Sequence, residues 1–101
     1  MSEEQLIASP AGVEIEGPPG ACSVGQGPTI FLYGGQPPYK LKNSVPLGVS
    51  LDTTVVTGSG RGFTVTFING ACFTNAPIVV EDDMGRILNV PLTNTPGPKV
   101  D

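Results

Sequence analysis

The chain has 101 residues, enough for one domain with a modest core, and its formal net charge is −4. Its five Lys and Arg residues are spread along the sequence, which excludes a nucleic-acid surface and disfavours binding to an anionic membrane. No apolar run approaches the roughly 20 residues needed to span a bilayer, so the chain itself is not expected to insert into a membrane. Gly and Pro are abundant, at 14 and 11 residues, but charged residues make up only 14% and the apolar residues alternate in order. This combination favours an all-β domain with many turns over a disordered chain.

Residues 1–12 are predicted to form a leader, of which residues 6–8 could pair at a sheet edge. The acidic start lacks the basic region of a signal peptide, so we interpret the chain as a module of a longer exported protein. Residues 13–16 alternate apolar and charged side chains, a pattern typical of a half-buried strand. After a Gly-Pro-Pro-Gly break, residues 29–33 are rich in β-formers and predict a strand that is buried on both faces.

A stiff corner is predicted at residues 34–39, which read Gly-Gly-Gln-Pro-Pro-Tyr. The glycines permit positive φ, and the prolines fix φ and remove two backbone donors. The next strand, residues 39–42, should place Tyr39 and Leu41 inward and two lysines in solvent. Residues 63–67 show the clearest two-residue period in the chain, with Phe, Val and Phe inward and threonines outward.

The C-terminal part continues the same pattern. Residues 77–81 predict a strand, residues 82–85 a hairpin turn and residues 86–92 the last strand, while residues 95–101 are predicted to be a linker. With shorter candidates near residues 50 and 55, the sequence predicts about seven strands, separated by turns, and no helix. We therefore predict an all-β fold, an immunoglobulin-like β-sandwich of about seven antiparallel strands over residues 13–94.

Cys22 and Cys72 are the two cysteines of a chain that has no histidine. Two lone thiols do not supply the roughly four ligands of a zinc site, so they predict no metal site. We interpret them as a disulfide formed in an oxidising compartment. The alternative is a pair of buried free thiols that act as small apolar side chains.

Two segments of the chain resemble bacterial immunoglobulin-like modules of surface proteins and envelope lipoproteins. One is the Gly-Gly-Gln-Pro-Pro-Tyr corner, and the other is Val-Glu-Asp-Asp-Met-Gly at residues 80–85, before the last strand. The resemblance covers roughly residues 13–94. It implies an exported protein, periplasmic, anchored at the outer membrane or on the cell surface, in which such modules serve as spacers or adhesive units.

The sequence lacks the usual combinations of catalytic residues, and we predict that the protein is not an enzyme and uses no cofactor. Without His, the commonest general base is missing, and neither a Ser-His-Asp nor a Cys-His arrangement can form. The dense carboxylate cluster of Glu81, Asp82 and Asp83 could supply half of a calcium site. The favoured interpretation is a surface turn, in which an Asp hydrogen-bonds its own backbone and Gly85 supplies positive φ.

Binding is the second class of function that the sequence leaves open. Tyr33 and Tyr39 flank the corner and are the aromatic residues best placed for partial exposure and ligand contact; packing in the core or the corner is the alternative. We predict a non-catalytic structural or spacer module whose partners are adjacent modules of the same polypeptide. The alternative is an adhesive module that binds a carbohydrate or a protein.

Overall fold

Nine strands form two β-sheets in the computed structural model, which describes residues 5–99 of the chain. The strands are β1 (Ile7–Ser9), β2 (Val13–Pro19), β3 (Gly25–Tyr33), β4 (Tyr39–Asn43), β5 (Val49–Leu51), β6 (Val55–Val56), β7 (Arg61–Phe67), β8 (Phe73–Glu81) and β9 (Ile87–Gly97). One sheet has four strands in the order β1-β3-β7-β5, and the other has five in the order β2-β9-β8-β4-β6. Residues 5–99 contain no helix of the length and apolar character that crossing a membrane requires.

The core lies between the two sheets, and the alternation of apolar residues explains which side chains fill it. In β7, Phe63, Val65 and Phe67 point inward and are at most 1% exposed, while the threonines between them face outward. In β4, Tyr39 and Leu41 point inward in the same way. The remaining core side chains are Leu6, Ala8, Ile30, Leu32, Val49, Val56, Ile78, Val80, Val90 and Leu92. This packing of two sheets confirms the predicted all-β sandwich.

The strand count and one strand pairing differ from the prediction. The structure has nine strands rather than about seven. Strands β5 and β6 match the short candidates near residues 50 and 55, and β1 is a three-residue strand within the predicted leader. Strand β2 runs parallel to β9, with Val13 opposite Leu92, whereas the other described pairs are antiparallel. The parallel pair forms because the chain crosses from one sheet to the other between β1 and β2.

The sandwich extends beyond the predicted boundaries at residues 13 and 94. Strand β1 lies within the predicted leader and pairs with β3, and Leu6 and Ala8 are buried in the core. Strand β9 continues through residues 95–97 of the predicted linker, where Gly97 pairs with Pro19 of β2. Residues 1–4 of the predicted leader and residues 100–101 of the predicted linker lie outside the described residues. Backbone pairing therefore orders two segments that show no strand period of their own.

The described chain enters and leaves the sandwich at opposite ends. Ile7 pairs with Tyr33, next to the corner at residues 34–38, and we call this the corner end. Strand β3 begins at the opposite end and runs toward the corner end. At that opposite end, Gly20 N–H donates to the Gly97 carbonyl at 3.0 Å. We call this the disulfide end, because the loops with Cys22 and Cys72 lie there. One buried polar side chain joins loops at each end: Asp82 at the corner end and Asn94 at the disulfide end.

Candidate functional site

Asp82 joins the hairpin turn after β8 to the corner after β3. Its Oδ2 accepts hydrogen bonds from the Gln36 backbone N–H at 2.8 Å and from Arg86 Nη1 at 3.0 Å. Its Oδ1 accepts from the backbone N–H groups of Arg86 at 2.7 Å and Met84 at 3.0 Å. In addition, Asp83 N–H donates to the Gln36 carbonyl at 2.7 Å. One carboxylate thus holds together two turns that lie 46 positions apart in the chain.

The same hydrogen bonds determine the charge state of Asp82. Burial of the carboxyl, whose side chain is 0% exposed, by itself raises the pKa of Asp82. The backbone N–H groups of Gln36 and Arg86, the Arg86 guanidinium and the Met84 N–H outweigh burial and lower the pKa from its ordinary 3.8 to about 2. Asp82 is therefore ionised at neutral pH, and its charge is compensated inside the turn.

Glu81, Asp82 and Asp83, which the sequence offered as half of a calcium site, do not converge on a common point. Among residues 5–99, no three or more Asp, Glu, His or Cys side chains lie close enough together to hold a metal ion. Both oxygens of Asp82 are engaged by donors, Asp83 is exposed, and Glu81 lies opposite Lys40 in the β4–β8 pair. The bond from Met84 N–H to Oδ1 is that of an Asx turn, two residues on from the Asp. A calcium ion at Asp82 would have to displace the Arg86 guanidinium.

The structure separates the two tyrosines proposed as ligand contacts. Tyr39 is 0% exposed, and its hydroxyl donates to the Gly34 carbonyl at 2.6 Å, so it packs in the core and supports the corner. Tyr33 is 42% exposed, and Phe31 on the same strand is 41% exposed. Strand β3 is therefore buried on one face only, contrary to the prediction, because no element covers the outer face of the four-stranded sheet within the described chain.

Gly35 is the glycine of this junction at which a side chain would press on the Asp82 carboxylate. It has φ +56, and a Cβ there would lie 2.6 Å from Asp82 Oδ2. We expect Gly35→Ala to lower the free energy of unfolding by about 3 kcal/mol, since it combines backbone strain with displacement of the carboxylate. Gly85→Ala is the matched control, because Gly85 has φ +85 but nothing within 4 Å of its Cβ position, so only strain of about 1 kcal/mol is expected. Urea denaturation of both variants measures the difference; equal losses would mean that the carboxylate is not crowded.

At the disulfide end, Cys22 and Cys72 are bonded, with their Cα atoms 5.6 Å apart, and this confirms the predicted pair. The bridge joins the loop before β3 to the loop before β8, rather than two strands across the core. Cys22 is buried and Cys72 is exposed. The Cys22 Sγ lies 3.4 Å from the Asn94 carbonyl oxygen; a bridged sulfur carries no proton to donate, so this is a contact only.

Asn94 joins the same two loops as the disulfide, but through hydrogen bonds. It is 0% exposed; its Oδ1 accepts from Ser23 N–H at 2.9 Å, and its Nδ2 donates to the carbonyls of Ser23 at 3.0 Å and Ala71 at 3.2 Å. Ser23 and Ala71 are the chain neighbours of Cys22 and Cys72. The sequence did not indicate this role, because the partners are backbone groups and Ser23 lies 71 positions away.

A shallow apolar cleft of about 310 Å³ opens beside the bridge at the same end. Its walls include Val45, Phe73 and Leu47, and Leu47 is 80% exposed. The loops at this end, residues 20–24, 44–48 and 68–72, contain no charged residue. These three loops are therefore uncharged, but Lys99 lies beside Gly20 at the same end. The corner end carries Asp83 and Arg86.

Comparison with known proteins gives no match: no protein-family model, no curated protein and no solved structure is similar to this chain. The candidate site thus consists of two cross-linked ends of a sandwich, one held by Asp82 and the other by the disulfide and Asn94.

Proposed function

We propose that the protein is a non-catalytic, immunoglobulin-like structural module that acts as a spacer in a larger exported protein of the bacterial envelope. The observation that carries the proposal is the course of the chain, which enters at the corner end and leaves at the disulfide end. A module built in this way adds its full length to a row of modules. Its partners would be the adjacent modules of the same polypeptide.

The order of the strands supports the immunoglobulin-like assignment. In such sandwiches the first, second, fifth and fourth strands share one sheet, and the third, sixth and seventh share the other. Strands β1-β3-β7-β5 and β4-β8-β9 follow this order, with β2 and β6 as additional edge strands. The bridge between two loops is a departure from antibody domains, in which the disulfide crosses the core.

The pairing of β2 with β9 supports a role in transmitting tension. A pull on the described chain draws β2 toward the corner end and β9 toward the disulfide end. Since the two strands are parallel and in register from Val13–Leu92 to Glu16–Thr95, their hydrogen bonds are loaded in shear along the strands. All of these hydrogen bonds then bear the pulling force together instead of breaking one at a time. Such resistance to force is what a spacer requires.

The chemistry of the disulfide end supports contact with a neighbouring module. The apolar cleft and the exposed Leu47 give this end an apolar contact surface for the next module. The disulfide itself is compatible with an oxidising, exported compartment, which we propose to be the periplasm, the outer membrane surface or the cell exterior.

A tandem protein tests the spacer function. We join Lys99 of one copy to Gln5 of a second and expect small-angle X-ray scattering to give a maximum dimension about twice that of one copy, because entry and exit lie at opposite ends. A version with a long Gly-Ser linker is the control and should give a broader distance distribution. Two copies folded side by side, with a maximum dimension little larger than one copy, would contradict the proposal.

A further inference from the structure

The outer faces of the two sheets differ sharply in charge. The five-stranded sheet presents charged side chains outward at Glu14, Glu16, Lys40, Lys42 and Glu81, with Lys40 directly opposite Glu81. In the described strands of the four-stranded sheet, Arg61 is the one charged residue, and it lies at the rim. Asp52 follows β5 at the sheet edge, where its Oδ1 accepts from Thr64 N–H at 2.8 Å. The part of this face that β1 and β3 form is therefore uncharged.

Three apolar side chains form a strip on this uncharged part of the face, and we call them the aromatic strip: Ile7, Phe31 and Tyr33. They are 49%, 41% and 42% exposed, and Ile7 lies directly opposite Tyr33 in the β1–β3 pair. A Cβ at Gly62 would lie 3.0 Å from Phe31 Cδ1, so the Phe31 ring lies against bare backbone of β7. The Cβ position of Gly60 is 4.0 Å from Tyr33 Cε1. The glycines thus leave room beside both rings.

Hydroxyl groups border the aromatic strip on the side away from the corner. Ser9 lies opposite Phe31 in the β1–β3 pair, and Thr29 is two positions before Phe31, with its hydroxyl 2.7 Å from that of Thr64. Ser50 and Thr66 pair farther along the same sheet. Exposed rings bordered by neutral donors and acceptors match a ligand that has apolar faces and hydroxyl edges, as a sugar ring has.

The strip is too small for a protein partner. Since each side chain has roughly 150–250 Å² of surface, the strip exposes on the order of 250 Å². A specific protein interface covers about 800 Å² on each partner and would have to extend over hydroxyl-bearing positions with few apolar anchors. A ligand one or two sugar rings wide fits the available surface.

We propose that the aromatic strip binds an extended β-1,4-linked glycan chain. Phe31 and Tyr33 occupy alternate positions of one strand and are therefore about 7 Å apart along a straight line. A ligand that contacts both must present successive apolar ring faces on one side of a flat ribbon, which β-1,4-linked hexopyranoses do and the coiled α-1,4-linked chains do not. This site is independent of the spacer function: it concerns a sheet face, while the tandem experiment concerns the two ends.

Titration with defined oligosaccharides tests the site. Cellohexaose and chitohexaose are added to the ¹⁵N-labelled protein, and maltohexaose serves as the α-linked control. We expect at least one of the β-linked probes to cause saturable shifts at residues 7–9, 31–33 and 60–64, and maltohexaose to cause none. Absence of saturable shifts with both β-linked probes, equal shifts with maltohexaose, or shifts confined to another surface would each overturn the proposal.

Matched substitutions identify the contacts. Tyr33→Leu keeps an apolar side chain and removes the ring, and we expect it to weaken binding by roughly two- to tenfold; Phe31→Leu should act alike. Val55→Ala is the control, because Val55 is 45% exposed on the other sheet and should leave binding unchanged. Unchanged binding in both Leu variants would overturn the assignment to the strip. Concentration-dependent shifts at the strip without sugar would instead assign this face to self-association and would also overturn it.

Discussion

Replacing Asp82 with Asn is expected to lower the melting temperature by roughly 10 °C or more. The carboxylate accepts four hydrogen bonds, and an Asn side chain offers only one oxygen. Whichever way the amide is turned, its NH₂ group faces two donors, so two of the four N–H groups lose their acceptor and the Arg86 charge loses its partner. The corner and the hairpin turn should separate, and thermal unfolding followed by circular dichroism measures the loss.

The same residue should control stability in acid. The folded-state pKa of Asp82 is about 2, below its ordinary 3.8, so the folded protein holds this charge where the unfolded chain takes up a proton. Its contribution is therefore complete above about pH 4 and is lost as the pH falls toward 2. The melting temperature of the unmodified protein should drop across this interval, and the drop should be smaller in Asp82→Asn.

Asp83→Asn is the matched control, because it removes the same formal charge from an exposed neighbour. The hydrogen bond between Asp83 and Gln36 uses the backbone N–H and survives the substitution. We expect a change in melting temperature within about 2 °C and an unchanged acid profile. Equal effects of the two substitutions would mean that net charge, rather than the Asp82 hydrogen bonds, determines the stability of this end.

The sequence predicts the layers of this fold better than its connections. The alternation in residues 39–42 and 63–67 identifies Tyr39, Leu41, Phe63, Val65 and Phe67 as core, because a two-residue period has only one way to bury its apolar side. Strands β5 and β6 match the short candidates near residues 50 and 55, but two or three residues are too few to define a face. Pairing with neighbours across the sheet orders them, as it does β1. The parallel β2–β9 pair depends on where the chain changes sheets, which no local pattern encodes.

The polar connections could be predicted only in part. The turn at residues 82–85 was predicted from Asp and Gly, but the bond from Gln36 to Asp82 depends on which loops the fold brings to one end. Asn94 gave no signal, because an Asn within a strand looks like any half-exposed polar residue. Partial exposure is expected from the sequence for Tyr33 and Tyr39, and the structure shows it for Tyr33 but not for Tyr39. The exposure of Phe31 was missed, because a continuous apolar run is typical of a strand that is buried on both faces.

Removal of the disulfide in a Cys22→Ala, Cys72→Ala double variant should lower the free energy of unfolding by about 4 kcal/mol. The bridge closes a segment of 50 positions, and without it the unfolded chain gains the conformational freedom of that loop. The folded state loses little, since Asn94 still joins the loops through Ser23 and Ala71. Equilibrium urea unfolding of the oxidised protein and the double variant measures the difference.

Reduction of the unmodified protein is the control for the double variant. Both should unfold at the same urea concentration if the loss comes from the unfolded chain rather than from the missing sulfur atoms. The Asn94 side-chain amide protons should keep their NMR shifts in the folded double variant, because their carbonyl partners remain in place. A loss below about 1 kcal/mol would contradict the entropic account. Shifted Asn94 signals would instead mean that the covalent bond, and not the hydrogen bonds, positions the loops at this end.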